Sequence, residues 1–341
     1  MSSKSTRLLG RSVYLCPFFL LACSATGNQS HGITDQDVLG GASGAATSMA
    51  GSSGLGGATG SGATGIGATG AMEAPGATSP PPIITPLPGA PMDPGKCSVD
   101  QNILFLIDRS GSMQCNPPPT TDSATCEFFP RTADTTMPTK LQIVETALST
   151  AFDQLLPTMA GQPATRAGMA VLSTDDVCGT TTMPLVPVTD VSQPFLDQMR
   201  MAMNGLVPNG TTPIVNAVTS AYQYFQMNAA ALPGNKHVIL VTDGADTCTN
   251  QSGIQNLIDT VAPQALSMGV NTWVIGAPGS EGARSMLSHL AKAGGTARAN
   301  CDVGTTPTTG NCHFDMTQGD FATSFKMALA TILSAVECGI R

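Results

Sequence analysis

Hydrophobic positions divide the chain into three stretches. Behind a basic start at Lys4, Arg7 and Arg11, one short apolar run covers residues 12–21. Residues 24–95 carry almost no apolar pattern. From residue 96, unbroken apolar runs of strand length alternate with apolar stripes at helical spacing. Residues 103–107 (Ile-Leu-Phe-Leu-Ile) form one such run, as expected of a strand buried on both faces. Residues 168–172, 237–241 and 272–275 are further strands, and 183–188 an edge strand, because Pro184 and Pro187 cannot donate to a ladder. Thr139 and Gln142 form a capping box, and Leu141, Val144, Leu148, Ala151 and Leu155 make one stripe on the helix that follows. Helices are also expected over 195–206, from Pro213 with Thr212 as N-cap, over 254–266 with a kink or stop at Pro263, over 282–293, and through Phe321, Phe325, Leu329, Ile332 and Val336. Strands alternating with helices predict an α/β domain over residues 96–341, with a doubly wound, mostly parallel sheet flanked by helices. Ligands of such sheets sit outside the carboxyl ends of the strands. Asp108 and Asp243 both fall at such ends, so two distant segments should meet on one rim.

The first strand runs into Asp108-Arg109-Ser110-Gly111-Ser112. One carboxylate and two hydroxyls on a tight loop are hard oxygen ligands, suited to Mg2+ rather than zinc or a redox metal. Composition then explains the stretch without pattern. Residues 23–95 repeat Gly-Ala-Thr-Gly from Gly57, Gly62 and Gly67 and become Pro-rich after Ser79. Too few apolar side chains are present to offset the entropy of ordering, so a disordered spacer is expected. A flexible tether of this length has an r.m.s. reach of about 45–50 Å. The net charge of −8 comes from only 11% charged residues with no basic patch, which argues against a nucleic-acid partner. Enzyme signatures are missing. The four histidines are scattered, Lys96 is followed by Cys97 where a P-loop needs Ser or Thr, and no nucleophile elbow occurs. His237 and His289 are expected to be structural, and the chain is expected not to be an enzyme.

The amino terminus resembles a bacterial lipoprotein signal. The apolar run is too short to span a bilayer and ends in Leu20-Leu21-Ala22-Cys23. The resemblance implies a signal peptide over 1–22, lipidation of Cys23, and, from Ser24 after it, an outer-membrane address on the periplasmic side or the cell surface. Lipid would then be the membrane anchor. Cys16 would leave with the signal. Eight cysteines remain, an even number in an exported chain, which suggests disulfides, although eight allow 105 pairings.

Over about residues 100–338 the chain is similar to a von Willebrand factor A domain. The resemblance rests on Asp108-Arg109-Ser110-Gly111-Ser112, on Gly210-Thr211, on Thr242-Asp243-Gly244, on the strand at Trp273 and on the turn at Gly294-Gly295. It implies a metal-ion-dependent adhesion site holding Mg2+, with Mn2+ or Ca2+ as alternatives. Ser110, Ser112 and Thr211 would bind through hydroxyls, and Asp108 and Asp243 directly or through water. Thr211 is preferred to Thr212 because Thr212 has a helix cap to make. Two carboxylates would leave a roughly neutral site, whose open position an Asp or Glu of a protein partner would fill. One departure from the family is an insert of about 25 residues, 114–138, between the Ser-x-Ser loop and the first long helix. Its acids Asp122, Glu127 and Asp134 are candidates to cap the metal in the free protein. On this fold the pairing Cys115–Cys126 would staple the insert, Cys97–Cys338 would tie the domain's ends, and Cys301–Cys312 and Cys178–Cys248 would complete the set. The expected function is a cell-envelope lipoprotein that binds a protein ligand through the metal. The alternative is an envelope scaffold with a mostly structural metal. Oligomeric state is left open.

Overall fold

The computed structural model describes residues 99–157, 163–174, 178–303 and 310–336. The signal, Cys23, the spacer, Cys97 and Cys338 lie outside the described residues. Six strands form one sheet in the order β3-β2-β1-β4-β5-β6. They are β1 (Gln101–Ile107), β2 (Thr165–Val171), β3 (Val186–Asp190), β4 (Asn235–Thr242), β5 (Val270–Gly276) and β6 (Phe314–Asp315). All neighbours are parallel except β2 and β3. The edge position expected from the prolines is occupied by β3, and Gly168 of β2 permits its close approach. A Cβ at Gly168 would stand 2.8 Å from the Val186 carbonyl oxygen and the Val188 nitrogen.

The helices are α1 (Ser123–Phe128), α2 (Lys140–Phe152), α3 (Gln193–Asn204), α4 (Ile214–Met227), α5 (Gln251–Asn256), α6 (Ala262–Ser267), α7 (Arg284–Ala293) and α8 (Phe321–Val336). They cover both faces of the sheet, and β1 serves both cores. Its Ile103, Phe105 and Ile107 pack on the side of α2, α3 and α8. Its Leu104 and Leu106 pack on the side of α4, α6 and α7. That is why the strand reads as an unbroken apolar run rather than an alternation.

Local chemistry sets the helix boundaries. Thr139 and Gln142 make both bonds of the capping box at the start of α2. The helix expected over 254–266 divides into α5, a π-turn at Leu257–Val261, and α6, with Pro263 in the first turn of α6. Proline cannot donate and its ring collides with the carbonyl four residues back, so the backbone widens just before it. Two elements carry no strong sequence pattern and went unpredicted: α1 within the insert, and the two-residue β6.

His237 on β4 is structural. Trp273 Nε1 donates to its Nδ1 (3.3 Å), and its Nε2 faces Gln101 Oε1 (3.0 Å), an arrangement that requires the neutral ring. Burial pushes its pKa down to about 4. Between pH 6.5 and about 4 the unfolded chain binds a proton here that the folded chain does not. The stability supplied by the neutral ring is therefore present above that window and lost as pH falls through it. Wild type should lose on the order of 3 kcal/mol relative to His237→Gln between pH 7 and pH 4. Urea denaturation followed by the fluorescence of Trp273, the single tryptophan, measures it. A wild-type-to-variant difference that does not change with pH would contradict the assignment.

Candidate metal centre

The loops at the carboxyl ends of β1 and β4 and the loop between α3 and α4 are tied to one another by backbone bonds. Asp108 N donates to Val241 O (2.9 Å), and Gly111 N to Gly210 O (3.3 Å). Asn209 N donates to Arg109 O (2.7 Å), and Thr247 N to Thr212 O (3.1 Å). These bonds bring the Asp108 loop, the Gly210 loop and the Asp243 loop to one rim.

Asp108 and Asp243 are both fully buried. Asp108 accepts from Ser110 N (2.7 Å) and from Thr242 Oγ1 (2.7 Å). Burial, and then the charge of Asp243, push its carboxyl up to about 6 against these hydrogen bonds. Ser112 Oγ donates to Asp243 Oδ1 (2.8 Å), the two serine hydroxyls lie 3.2 Å apart, and Ser110 Oγ is 3.5 Å from Asp243 Oδ1. An octahedral Mg2+ with bonds of 2.0–2.1 Å has neighbouring ligand oxygens about 3 Å apart. The triangle of Ser110, Ser112 and Asp243 oxygens therefore has the size of one octahedral face, and the donor set fits a hard divalent cation. Among the described residues no group of three or more His, Cys, Asp or Glu side chains is arranged to hold a metal. An ion here would depend on these hydroxyls beside the two carboxylates.

Thr211 Oγ1 lies against the Cys178–Cys248 disulfide, 3.2 Å from Cys248 Sγ. The reason for preferring it to Thr212 does not survive. Helix α4 begins at Ile214 after Pro213 and has no side-chain cap from its N-cap residue. The carboxylate of Asp246 instead accepts from Val215 N (2.7 Å) and from Cys248 N and Thr249 N (2.8 and 2.6 Å). Asp246 thereby joins the start of α4 to the Asp243 loop. A carboxylate can bond three amides where a threonine hydroxyl would serve one.

Lys140 was missed by sequence reasoning. It is the first residue of α2, it is 1% exposed, and its ammonium forms an ion pair with Asp243 Oδ2 and donates to Pro278 O (2.8 Å). Asp243 Oδ2 accepts no bond from a hydroxyl or backbone amide among the described residues, so this ion pair is its contact. Lys140 changes the charge count behind the expectation of a roughly neutral loaded site: two carboxylates and one ammonium would leave a divalent ion with an excess of one positive charge. A signal for Lys140 did exist. A cation in the first turn of a helix opposes the macrodipole, which asks for a compensating anion nearby.

The insert is folded rather than loose. A disulfide joins Cys115 to Cys126, and Cys301 is bridged to Cys312 elsewhere in the domain. Asn116, 1% exposed, donates to Asp134 O, Met137 O and Pro138 O and accepts from Ala133 N and Asp134 N. Helix α1 carries Glu127 to the rim. Gly279, at φ +113°, packs against it, and a Cβ there would stand 2.5 Å from both Asp243 O and Glu127 Oε1.

A family model described as von Willebrand factor type A domain matches residues 102–311. Comparison with curated proteins finds no match. Among solved structures, a von Willebrand factor type A protein from Catenulispora acidiphila aligns at 18% identity over 70% of this chain and 43% of its own, with a TM-score of 0.44. The pilus adhesin SpaC from Lactobacillus rhamnosus GG aligns at 13% over 70% and 31%, TM-score 0.45. Proximal thread matrix protein 1 from the mussel byssus, described with a zinc-occupied MIDAS motif, aligns at 17% over 71% and 48%, TM-score 0.40. The chain thus spans less than half the length of each of these three. The family match covers more than half of this chain and contains the Asp108, Gly210 and Asp243 loops: the chain belongs to the von Willebrand factor type A domain family, a family of protein-interaction domains.

Proposed function

We propose that this chain is an exported, lipid-anchored cell-envelope protein whose domain captures a protein partner through a divalent cation. Asp108, Ser110, Ser112, Thr211 and Asp243 would hold the ion, with Mg2+ the first candidate and Mn2+ or Ca2+ the alternatives. When bound, the ion supplies a Lewis-acidic contact for a carboxylate of the partner. The observation that carries this reading is the convergence of the Ser110, Ser112 and Asp243 oxygens within 2.8–3.5 Å of one another at the sheet rim. The excess positive charge contributed by Lys140 favours an anionic contact over a neutral one. Disulfides in the domain fit folding in an oxidising compartment. Lipidation of Cys23, with the spacer over 23–95 holding the domain away from an outer membrane, rests on the sequence pattern.

Affinity capture from envelope extracts, with the protein as bait in Mg2+ and in EDTA, tests the reading. A specific partner should be retained in Mg2+ and released by EDTA. Asp108→Asn, which keeps the side chain's shape but removes its charge, should lose the partner as EDTA does. Retention unaffected by both EDTA and Asp108→Asn would support the second reading, an envelope scaffold whose metal is mostly structural.

A further inference from the structure

Of the three acids on the insert, two have local duties. Asp122 caps α1 by accepting from Thr125 N (3.1 Å), and Asp134 accepts from both the backbone and the hydroxyl of Thr136 (2.8 and 2.6 Å). Glu127 is different. It follows Cys126, whose bridge to Cys115 fastens α1 to the backbone leaving Ser112, where Cys115 N donates to Ser112 O (3.1 Å). Its carboxylate lies over the two backbone segments that flank Asp243. A Cβ on Gly244 would stand 3.6 Å from Glu127 Oε2, and one on Gly279 would stand 2.5 Å from Glu127 Oε1 and 3.2 Å from Lys140 Nζ. Glu127 is an exposed residue, yet burial of its carboxyl, and then the balance of the charges of Asp243, Lys140, Asp108 and Glu281 that it is close enough to feel, push it up to about 7. Glu281, the other acid nearby, already accepts from Gly279 N (3.0 Å).

Charge balance gives this placement a purpose. Asp108, Asp243 and Lys140 together leave a bound divalent ion one negative charge short, and Glu127 is a carboxylate of the chain itself that reaches the rim without another evident duty. Resting on the metal reading above, we propose that Glu127 is the chain's own carboxylate ligand, occupying the open position of the ion until a partner's carboxylate replaces it. Capture is then an exchange of one carboxylate for another, with no net change in charge at the site. The partner class that follows is a protein segment presenting Asp or Glu, because a neutral donor would leave the excess positive charge uncompensated once Glu127 withdrew.

Mn2+ can be used as the probe on the full-length protein. Free Mn2+ measured by electron paramagnetic resonance gives the affinity, and water-proton relaxation gives the number of exchangeable waters on the bound ion. Glu127→Gln is expected to weaken Mn2+ binding on the order of tenfold and to raise the relaxation enhancement per bound ion by the equivalent of one added water. Acetate should reverse that gain in the variant and leave wild type unchanged. Glu127→Asp, shorter by a methylene but still anionic, should gain the water with a smaller loss of affinity. Glu281→Gln should match wild type in both readouts. Unchanged affinity and unchanged hydration in Glu127→Gln would overturn the ligand role while leaving the metal site intact. No Mn2+ binding by wild type would overturn both readings.

Discussion

Asp243→Ala is expected to abolish divalent-ion binding and to destabilise the fold in the same step. The variant removes a carboxylate oxygen of the Ser110–Ser112–Asp243 triangle and also strands Lys140, which is 1% exposed and pairs with that carboxylate. Removing one partner of a buried ion pair typically costs about 3–5 kcal/mol, because the other charge remains buried without its direct partner. A second substitution separates the two effects. Asp243→Ala combined with Lys140→Met removes the stranded charge, and most of the lost stability should return while metal binding stays absent. Denaturant midpoints and metal titrations on the single and double variants measure both quantities. If the single variant unfolds at the wild-type midpoint, the Lys140–Asp243 pair does not hold the loops as described.

The second large effect is a gain. Lys140→Met is expected to raise Mg2+ affinity by at least about tenfold, and to make the stability of the domain depend on the ion. Two unit charges about 4 Å apart interact by about 4 kcal/mol at an effective dielectric of 20, and a divalent ion doubles the repulsion that Lys140 exerts. A third of the single-charge figure already corresponds to a factor of ten in affinity. The substitution also leaves Asp243 without its cation unless a metal supplies one, so the metal-free variant should melt below wild type and recover when Mg2+ is added. Thermal melts of both proteins with and without Mg2+ read this directly. Equal shifts in the two would mean that Lys140 does not compete with the ion.

Lys140 also marks the boundary of what sequence reveals here. Periodicity located β1, because burial on both faces leaves an unbroken apolar run, and the Thr139–Gln142 box located the start of α2. The same reasoning treats a lysine at the first position of an amphipathic helix as solvated. Its place in the first helical turn hints at a nearby anion, but its burial comes from the convergence of α2, Asp243 and Pro278, which are distant in sequence, so no local pattern encodes which anion that is. The role of Asp246 was hidden for the same reason, since the amide it caps at Val215 is 31 positions away. The candidate site's own carboxylates were legible because Asp108 and Asp243 each follow a buried strand directly, and strand ends in a parallel sheet share a rim. Of the insert, the Cys115–Cys126 staple was legible and the rest was not, because its segments are gathered by the buried Asn116 rather than by an apolar stripe. Its Glu127 entered the sequence reading as one of three equivalent acids.

Ion binding at the sheet rim is read most directly by a calorimetric titration of the purified protein with Mg2+, with Asp243→Ala alongside. Wild type is expected to bind one ion per chain saturably, and the variant none. Wild type without binding heat at any temperature tried, or a variant that binds as wild type does, would contradict that expectation.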